Sequence, residues 1–363
     1  DSKPNLEYLE RLFENNIKKM LSGADNICIA LSGGVDSTLV LALIKKFYPD
    51  LTIDAISIRF SQSIDETESA GKIASHFDAN HHIVNIDNYL TELPKVISIT
   101  KQPFWDIHWY YVVKKAKSLS NFLASGDGGD EIFGGYTFRY KKYLSKVTNK
   151  SSPLEKIKAY LQCHERDNVP DQPNIFGANC EFDWEMIYDL LYPYFNNSLD
   201  SIDQVLLADY NGKLMYNFAP INDSIHEFHQ VKKVTPLISE EVIRYVTAFP
   251  SKYKYNSSSD IGKLVLRKLM RKYGCDHLIS SEKLGFNVDT SNLWTRHGQR
   301  LCKKLLYNSN IVESGIINQN WIDANIDKND LDVRYINKFY GLLALEIWWR
   351  LFITKKLTPN DKL

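Results

Sequence analysis

Apolar and polar positions in residues 1–125 follow a pattern that predicts strands separated by helices. The short apolar runs, which predict buried strands, are residues 26–31, 51–60, 81–86 and 121–125. The stretches with apolar residues at helical spacing are residues 6–21, 38–48 and 66–78. Strands that alternate with helices of this length indicate an α/β fold, with a parallel sheet and helices on both faces.

The pattern changes near residue 145, where the polar stretch SKVTNKSSP resembles a linker. Beyond it, apolar residues recur mostly at helical spacing, as in EKIKAYLQ and FYGLLALEIWWRLFI. The sequence therefore predicts an α/β core over residues 1–145 and a mostly helical region over residues 146–363.

The first predicted strand leads into a glycine-rich turn, ICIALSGGVDSTL at residues 27–39. Gly33 and Gly34 allow backbone angles and close approaches that a Cβ would forbid, and the following helix N-terminus attracts anions. A carboxylate at Asp36 would repel a phosphate unless a divalent cation lay between them, which indicates Mg²⁺. The turn matches neither the Walker loop nor the dinucleotide fingerprint.

A second glycine-rich stretch, SGDGGDEIFGGY at residues 125–136, follows the apolar run NFLA. It therefore also leaves the end of a predicted strand, where parallel sheets usually bind their ligands. The three acids of GDGGDE, set among glycines, are typical of a metal site or an acid/base site rather than of a solvated loop.

Both stretches resemble known motifs. SGGVDS resembles the pyrophosphate loop of the N-type ATP pyrophosphatases, and SGDGGDEIFGGY resembles the signature of the asparagine synthetase family. The segments GKLVLR, KLGF and LLALEIWW resemble later motifs of that family, so that the resemblance covers roughly residues 10–355. It implies the fold of the adenine nucleotide alpha hydrolases, with the helical region completing the acceptor pocket. It also implies that ATP adenylates a carboxylate and that an amine then forms an amide.

The resemblance further implies roles for individual residues. The ATP- and pyrophosphate-binding set would be Ser32, Gly33, Gly34, Asp36, Ser37, Ser57, Ser125 and Gly126. The Mg²⁺ ligands would be Asp36 and Asp130, and the catalytic residues would be Asp127, Lys263 and Lys283. Asp127 would lie near the attacking amine, while Lys263 and Lys283 would stabilise charge on the phosphates and on the adenylate.

The chain departs from the common glutamine-dependent pattern at the amine side. Its pyrophosphate loop begins at Ser32, and no nucleophilic N-terminal cysteine or glutaminase domain precedes it. The amine source therefore stays open among free ammonia, a separate glutaminase subunit and another amine. A truncated chain is the fourth alternative.

The acceptor side departs from the family as well. Residues 101–103, 221–224 and 232–239 differ from the family's acceptor segments, and Arg59 replaces a glycine. Aspartate is the default acid, and a uronic acid or a peptide carboxylate is the alternative. Lys232 and Lys233 are interpreted either as contacts for an acidic substrate or as a solvated pair, and the aromatic residues 104–111 mainly as core.

Composition argues against several classes of protein. The 44 basic and 44 acidic residues give no net charge, which argues against nucleic acid as the main partner and against a tRNA-modifying enzyme. The longest apolar runs are too short to span a membrane, and the five cysteines have no zinc spacing, which favours reduced thiols. We expect a cytoplasmic enzyme, with a homodimer as an open alternative. A non-catalytic scaffold would have damaged motifs, whereas this chain keeps the acids Asp36, Asp127 and Asp130 and the lysines Lys263 and Lys283.

Overall fold

The computed structural model of the chain describes residues 3–61, 65, 67–164, 169–279 and 289–363. Its strands are β1 (Asn26–Ala30), β2 (Thr52–Phe60), β3 (Asn80–Ile86), β4 (Phe122–Ala124) and β5 (Lys232–Val234). The α-helices of the N-terminal half are α1 (Leu6–Met20), α2 (Val35–Phe47), α3 (Thr67–His76), α4 (Leu93–Thr100), α5 (His108–Lys117), α6 (Gly129–Phe133), α7 (Thr137–Leu144) and α8 (Pro153–Gln162).

The later α-helices are α9 (Trp184–Phe195), α10 (Ser201–Ala208), α11 (Ala219–His229), α12 (Glu240–Thr247), α13 (Leu264–Lys272), α14 (Thr290–Leu293), α15 (Gln299–Leu306), α16 (Asn310–Glu313), α17 (Gln319–Asn325) and α18 (Val333–Phe352). The π-helical segments are Asp209–Phe218 and Trp294–Gly298. The 3₁₀ turns are Tyr89–Glu92, Gln172–Ile175, Pro236–Ile238, Ser251–Tyr253 and Asp276–Leu278. In the part of the chain that the structure covers, no helix is both long and apolar enough to cross a membrane.

The five strands form one sheet in the order β3-β2-β1-β4-β5. Strand β1 pairs in parallel with both β2 and β4, and β4 pairs in parallel with β5, so the predicted α/β class is confirmed. The chain moves outward from β1 to β3 and then returns to the other side of β1 with β4. The carboxyl ends of β1 and β4 therefore flank the point where the strand order reverses, the usual ligand position in open parallel sheets.

Burial explains why the central strands form where the apolar runs predicted them. Ile27, Cys28 and Ile29 of β1 are fully buried, as are Leu39 to Leu41 of the following helix α2. A strand that is buried on both faces has a continuous apolar sequence, because neither face contacts water. The apolar faces of β1 and α2 thus fix the direction in which the first glycine turn leaves the sheet.

The chain packs as two compact units that are discontinuous in sequence. Unit one comprises residues 1–85, 109–150 and 197–287 and contains both glycine-rich stretches. Unit two comprises residues 86–108, 151–196 and 288–363. The division of the sequence at residue 145 stays a prediction, since packing groups the segments in a different way.

Unit two has a buried polar anchor on its longest helix, α18. Glu346 is fully buried and accepts hydrogen bonds from the backbone N–H groups of Asn310 and Ile311, both at 3.1 Å. The Arg350 guanidinium also donates to Glu346, at 2.6 Å. These bonds satisfy a buried carboxylate and hold α16 against α18.

Candidate active site

The first glycine turn connects β1 to α2 and is closed by its own hydroxyl groups. Gly33 has a φ of +74°, a conformation that favours glycine, and Gly34 is the N-cap of α2. The Ser32 N–H donates to the Ser37 hydroxyl at 3.3 Å, and the hydroxyls of these two serines also lie 3.3 Å apart. The turn thereby directs the N-terminus of α2, with Asp36 in its first turn, toward the carboxyl edge of the sheet.

The second glycine-rich stretch connects β4 to α6 and packs directly against the first. A Cβ on Gly126 would lie 2.6 Å from the Asp36 Cβ, and one on Gly129 would lie 2.4 Å from the Asp36 Cγ. Both distances are shorter than side chains tolerate, so these two positions have no room for a larger residue. The glycines are therefore required by the close approach of the second glycine-rich stretch to helix α2.

Asp36 and Asp130 come together around one buried lysine. The Lys263 ammonium pairs with the Asp36 carboxylate and lies 2.8 Å from Oδ1 of Asp130. Lys263 is 5% exposed and has a φ of +57° at the N-cap of α13. A left-handed backbone at a non-glycine residue is a strained conformation that tertiary contacts must hold.

Burial by itself would lower the pKa of Lys263, because it disfavours the ammonium form. The charges of Asp36 and Asp130 more than offset burial, and the pKa is raised above its ordinary value. The lysine is therefore a permanent cation at neutral pH. A Cβ on Gly135 would lie 1.8 Å from Oδ1 of Asp130 and 2.3 Å from the Lys263 Cε, so this cluster also requires glycine at the last glycine position of the motif.

Two serines of the predicted ATP-binding set are buried, Ser57 within β2 and Ser125 directly after β4. The Ser57 hydroxyl donates to the Leu31 carbonyl at 2.7 Å and lies 2.9 Å from Nε2 of His81. Ser57 thus fixes the last residue before the glycine turn. The Ser125 N–H donates to the Val234 carbonyl at 3.0 Å, while its buried hydroxyl has no hydrogen-bond partner among the residues the structure describes.

The other two residues that were predicted to be catalytic are Asp127 and Lys283. Asp127 lies partly exposed in the loop between β4 and α6. Lys283 falls within residues 280–288, outside the described part of the chain. The structure therefore brings together Asp36, Asp130 and Lys263, with Ser32, Ser37 and Gly126 beside them. The roles assigned to all these residues remain predictions.

A buried polar network next to the second motif was not predicted from the sequence. The Tyr136 hydroxyl donates to the Glu131 carboxylate, and the Lys213 ammonium donates to that hydroxyl at 2.7 Å. The Arg139 guanidinium lies 3.6 Å from the centre of the Tyr136 ring and 3.3 Å from Oδ1 of Asp209. Glu131 and Tyr136 are motif residues, but the spacing of Lys213 and Asp209 carries no signal that would have identified them.

The network changes the ionisation of its members through burial. Burial raises the pKa of Glu131, and the neighbouring Asp130 charge raises it further. Burial also lowers the pKa of Lys213, as does the charge of Arg139. The π-helical segment Asp209–Phe218 supplies Asp209 and Lys213, and such segments occur frequently near functional sites.

The donor set of the cluster suits a hard cation held jointly with phosphates. Magnesium is commonly bound by one or two carboxylates together with the phosphates of a substrate. Among the residues the structure describes, no group of three or more His, Cys, Asp or Glu side chains forms a metal site on its own. Asp36 and Asp130 would therefore hold Mg²⁺ only with phosphate oxygens as further ligands, which fits a site for ATP.

Comparison with known proteins identifies the relatives of this chain. A family model described as asparagine synthase matches residues 8–350. The chain is 22% identical over 366 residues to asparagine synthetase (glutamine-hydrolyzing) 1 of Bacillus subtilis strain 168, covering 91% of this chain and 57% of that protein. It is 23% identical over 328 residues to a putative asparagine synthetase (glutamine-hydrolyzing) of Mycobacterium bovis, covering 81% of this chain and 50% of that protein. The chain thus spans about half the length of the curated relatives it matches.

Among solved structures, an NH3-dependent NAD synthetase from Campylobacter jejuni aligns with a TM-score of 0.30 and 12% identity, covering 63% of this chain and 94% of that one. This structural similarity is weak. The fold of the chain is assigned from its own sheet order and strand pairing.

Proposed function

Because the chain belongs to the asparagine synthase family, we propose that it is an AMP-forming amide ligase. The observation that carries this proposal is the meeting of Asp36, Asp130 and Lys263 at the reversal point of the sheet. Two carboxylates, one buried cation and a glycine turn are suited to ATP phosphates that a divalent cation accompanies. An acidic surface loop would not need glycines whose Cβ atoms would clash with Asp36.

The proposed reaction has two steps. A carboxylate oxygen of the substrate attacks the α-phosphorus of ATP, the bond to the β-phosphate oxygen breaks, and pyrophosphate leaves. The nitrogen of an amine then attacks the acyl carbon of the adenylate, and AMP leaves with the oxygen that was activated. The proton that the amine loses passes to a base, for which Asp127 is the candidate at the end of β4.

The residues of the two loops would share the charge that develops in these steps. The glycine turn and the N-terminus of α2 would bind the pyrophosphate, and Lys263 would stabilise its negative charge. Mg²⁺, held by Asp36 and Asp130, would supply further electrostatic stabilisation of the phosphates. Lys283 keeps its proposed role at the adenylate on the strength of its KLGF motif alone.

The acid substrate is proposed to be aspartate, with ammonia as the amine, and a uronic acid or a peptide carboxylate is the alternative. The Lys233 ammonium pairs with Asp223, and the Lys232 ammonium lies 5.0 Å from the centre of the Phe122 ring. Both lysines therefore have partners within the fold, which weakens the interpretation that they bind an acidic substrate. Experiment must decide which of these acids is the substrate.

The test is to measure AMP and pyrophosphate release with ATP, Mg²⁺, aspartate and ammonium chloride. We expect release that depends on aspartate, with asparagine as the product, since free ammonia replaces any donor subunit. Asp127→Asn should lower the rate by about a hundredfold, because the substitution removes the proposed base. The matched control is Asp200→Asn, a carboxylate that is exposed in unit one.

Two outcomes would count against the proposal at different levels. If AMP and pyrophosphate release required an acid other than aspartate, the proposed substrate would be wrong, but the proposed reaction type would stand. If the protein converted ATP only to ADP and phosphate, whichever acid was present, this would contradict AMP-forming ligation itself.

A further inference from the structure

Unit one contains a cavity of about 440 Å³ that the proposed reaction does not use. Helix α6 borders both the cavity and the lysine cluster, because it contributes Asp130 to that cluster and Glu131 and Ile132 to the wall of the cavity. The volume lies in the range of small-molecule sites. Apolar side chains such as Leu206 and Phe249 make up part of the wall.

The buried cation in this wall is Lys254. The residue is 3% exposed, and its ammonium forms no ion pair or hydrogen bond with any residue the structure describes. Burial lowers its pKa to about 8, and only the charge of Asp203 opposes that shift. An ammonium group that is removed from water without a hydrogen-bonded partner is costly, and here the charge of Asp203 compensates that cost only in part.

The wall of the cavity also carries carboxylates. Asp203 is partly buried, and it accepts a hydrogen bond from the Ser251 N–H at 3.1 Å. Burial raises its pKa, although the hydrogen bond from Ser251 and the charge of Lys254 oppose that shift. Glu131 and Asp200 line the same cavity, Asp200 at an exposed position.

The mixture of charges restricts the ligand. A simple anion would pair with Lys254 but would be repelled by the carboxylates, and a simple amine would meet the reverse situation. A molecule that carries one carboxylate and one ammonium group would compensate both sides at once. The apolar part of the wall would then contact an uncharged portion of that molecule.

We propose that this cavity is a binding site for a small zwitterion of the amino acid type, with its carboxylate on Lys254 and its ammonium on Asp203. The site is distinct from the ATP site because Asp36, Asp130 and Lys263 are not among the residues that line the cavity. The two are nevertheless adjacent in the backbone, since the Lys254 carbonyl accepts a hydrogen bond from the Leu264 N–H at 3.1 Å.

The test is calorimetric titration of the protein with each standard L-amino acid in the absence of ATP. We expect at least one of them to bind with a Kd below about 1 mM. Lys254→Met should weaken that binding by about thirtyfold or more, because it removes the buried partner of the carboxylate. Lys252→Met is the matched control, since Lys252 lines the same cavity at an exposed position, and it should change the Kd by less than about threefold.

A second measurement does not depend on the folding of a variant. Acetic anhydride labelling of the unaltered protein, read by mass spectrometry, should modify Lys254, and the bound amino acid should protect it. The des-amino and decarboxylated analogues of that amino acid should each bind at least about tenfold more weakly. Equal binding by the des-amino analogue, unchanged binding by Lys254→Met, or no binding by any amino acid would each overturn the proposal.

Discussion

Two buried lysines of unit one, Lys254 and Lys263, have opposite electrostatic environments. Lys263 is 5% exposed and lies between two carboxylates, which raise its pKa. Lys254 is 3% exposed without an ion pair in the described part of the chain, and burial lowers its pKa to about 8. Similar burial therefore gives one permanent cation and one cation whose proton is weakly held.

The surroundings of the two lysines differ in packing as well as in charge. Lys263 packs so closely against the second glycine-rich stretch that a Cβ on Gly135 would lie 2.3 Å from its Cε. Lys254 faces a cavity of about 440 Å³. The comparison indicates that neighbouring groups balance the charge of Lys263 and fill the space around it. Lys254, in contrast, has an incompletely balanced charge and an adjoining cavity with room for a ligand.

The largest expected effect is that of Lys263→Met. Removal of this cation leaves the carboxylates of Asp36 and Asp130 facing each other in a buried site. We expect pyrophosphate release to fall by about a hundredfold or more. Unfolding in urea should show a loss of about 3 kcal/mol in the free energy of unfolding, as for other buried ion pairs that lose one partner.

The control for this variant is Lys268→Met, which removes an exposed lysine from the same helix, α13. It should leave both measurements nearly unchanged. Adding Asp130→Asn to Lys263→Met should restore part of the stability, because it removes the carboxylate repulsion, but none of the activity. A double variant that is less stable than Lys263→Met alone would show that repulsion is not the cause.

The next effect is that of Gly129→Ala, which tests the close packing around the first lysine. The new Cβ would lie 2.4 Å from the Asp36 Cγ, so the loop or the helix must shift. We expect a loss of about 1–3 kcal/mol in the free energy of unfolding and a rate of pyrophosphate release that is lower by about tenfold or more.

Gly212→Ala is the matched control, because an added Cβ at that helical position would contact nothing within 4 Å. It should be neutral or slightly stabilising, as alanine usually is in a helix. Equal losses in Gly129→Ala and Gly212→Ala would contradict the importance of the approach between the two loops.

Sequence was sufficient to predict the first of these two regions. The apolar runs around β1 and β4 showed that both glycine stretches leave strand ends, and acids among glycines indicated a charged ligand. The family resemblance assigned Asp36 and Asp130 to the same Mg²⁺, so these two carboxylates were expected near each other. Lys263 entered the prediction only through its family motif, since a lysine that caps a helix has no periodic signal.

The second region could not be predicted. Lys254 lies in the stretch FPSKYKYN, where nothing distinguishes it from the exposed Lys252 two residues earlier. Its burial depends on the packing of the helices α6, α10 and α12, which are distant in sequence. Strand β5 was missed for a related reason, because its three residues begin with two lysines and owe their strand conformation to pairing with β4.

A smaller effect, with the opposite sign to that of Lys263→Met, is expected for Lys254→Met. Methionine removes an unpaired buried charge, so the free energy of unfolding at pH 7 should rise by about 1–2 kcal/mol. The advantage of the variant should shrink as the pH rises. Between about pH 8 and the ordinary lysine pKa of 10.5, the unfolded chain binds more protons than the folded chain, which stabilises the unaltered protein relative to the variant.

Urea unfolding of both proteins at about pH 7 and about pH 9.5 checks this expectation. Lys263 should behave in the reverse way, because its raised pKa contributes stability below pH 10.5 that is lost only as the pH rises further. A Lys254→Met variant that is destabilised equally at both pH values would show that Lys254 is compensated by groups outside the described residues.

The smallest expected effect is that of Asp203→Asn, which removes a negative charge that favours the ammonium form of Lys254. The carboxylate of Asp203 raises the pKa of Lys254 against the effect of burial, so Asp203→Asn should lower that pKa further. We expect the midpoint of the pH profile for labelling of Lys254 to move to lower pH by less than about one unit. The exposed carboxylate of Asp200 lines the same cavity, and Asp200→Asn should leave the midpoint in place because water screens its charge. A shift of the same size in both variants would mean that the charge of the cavity as a whole, and not the pair of Lys254 and Asp203, determines how tightly the proton is held.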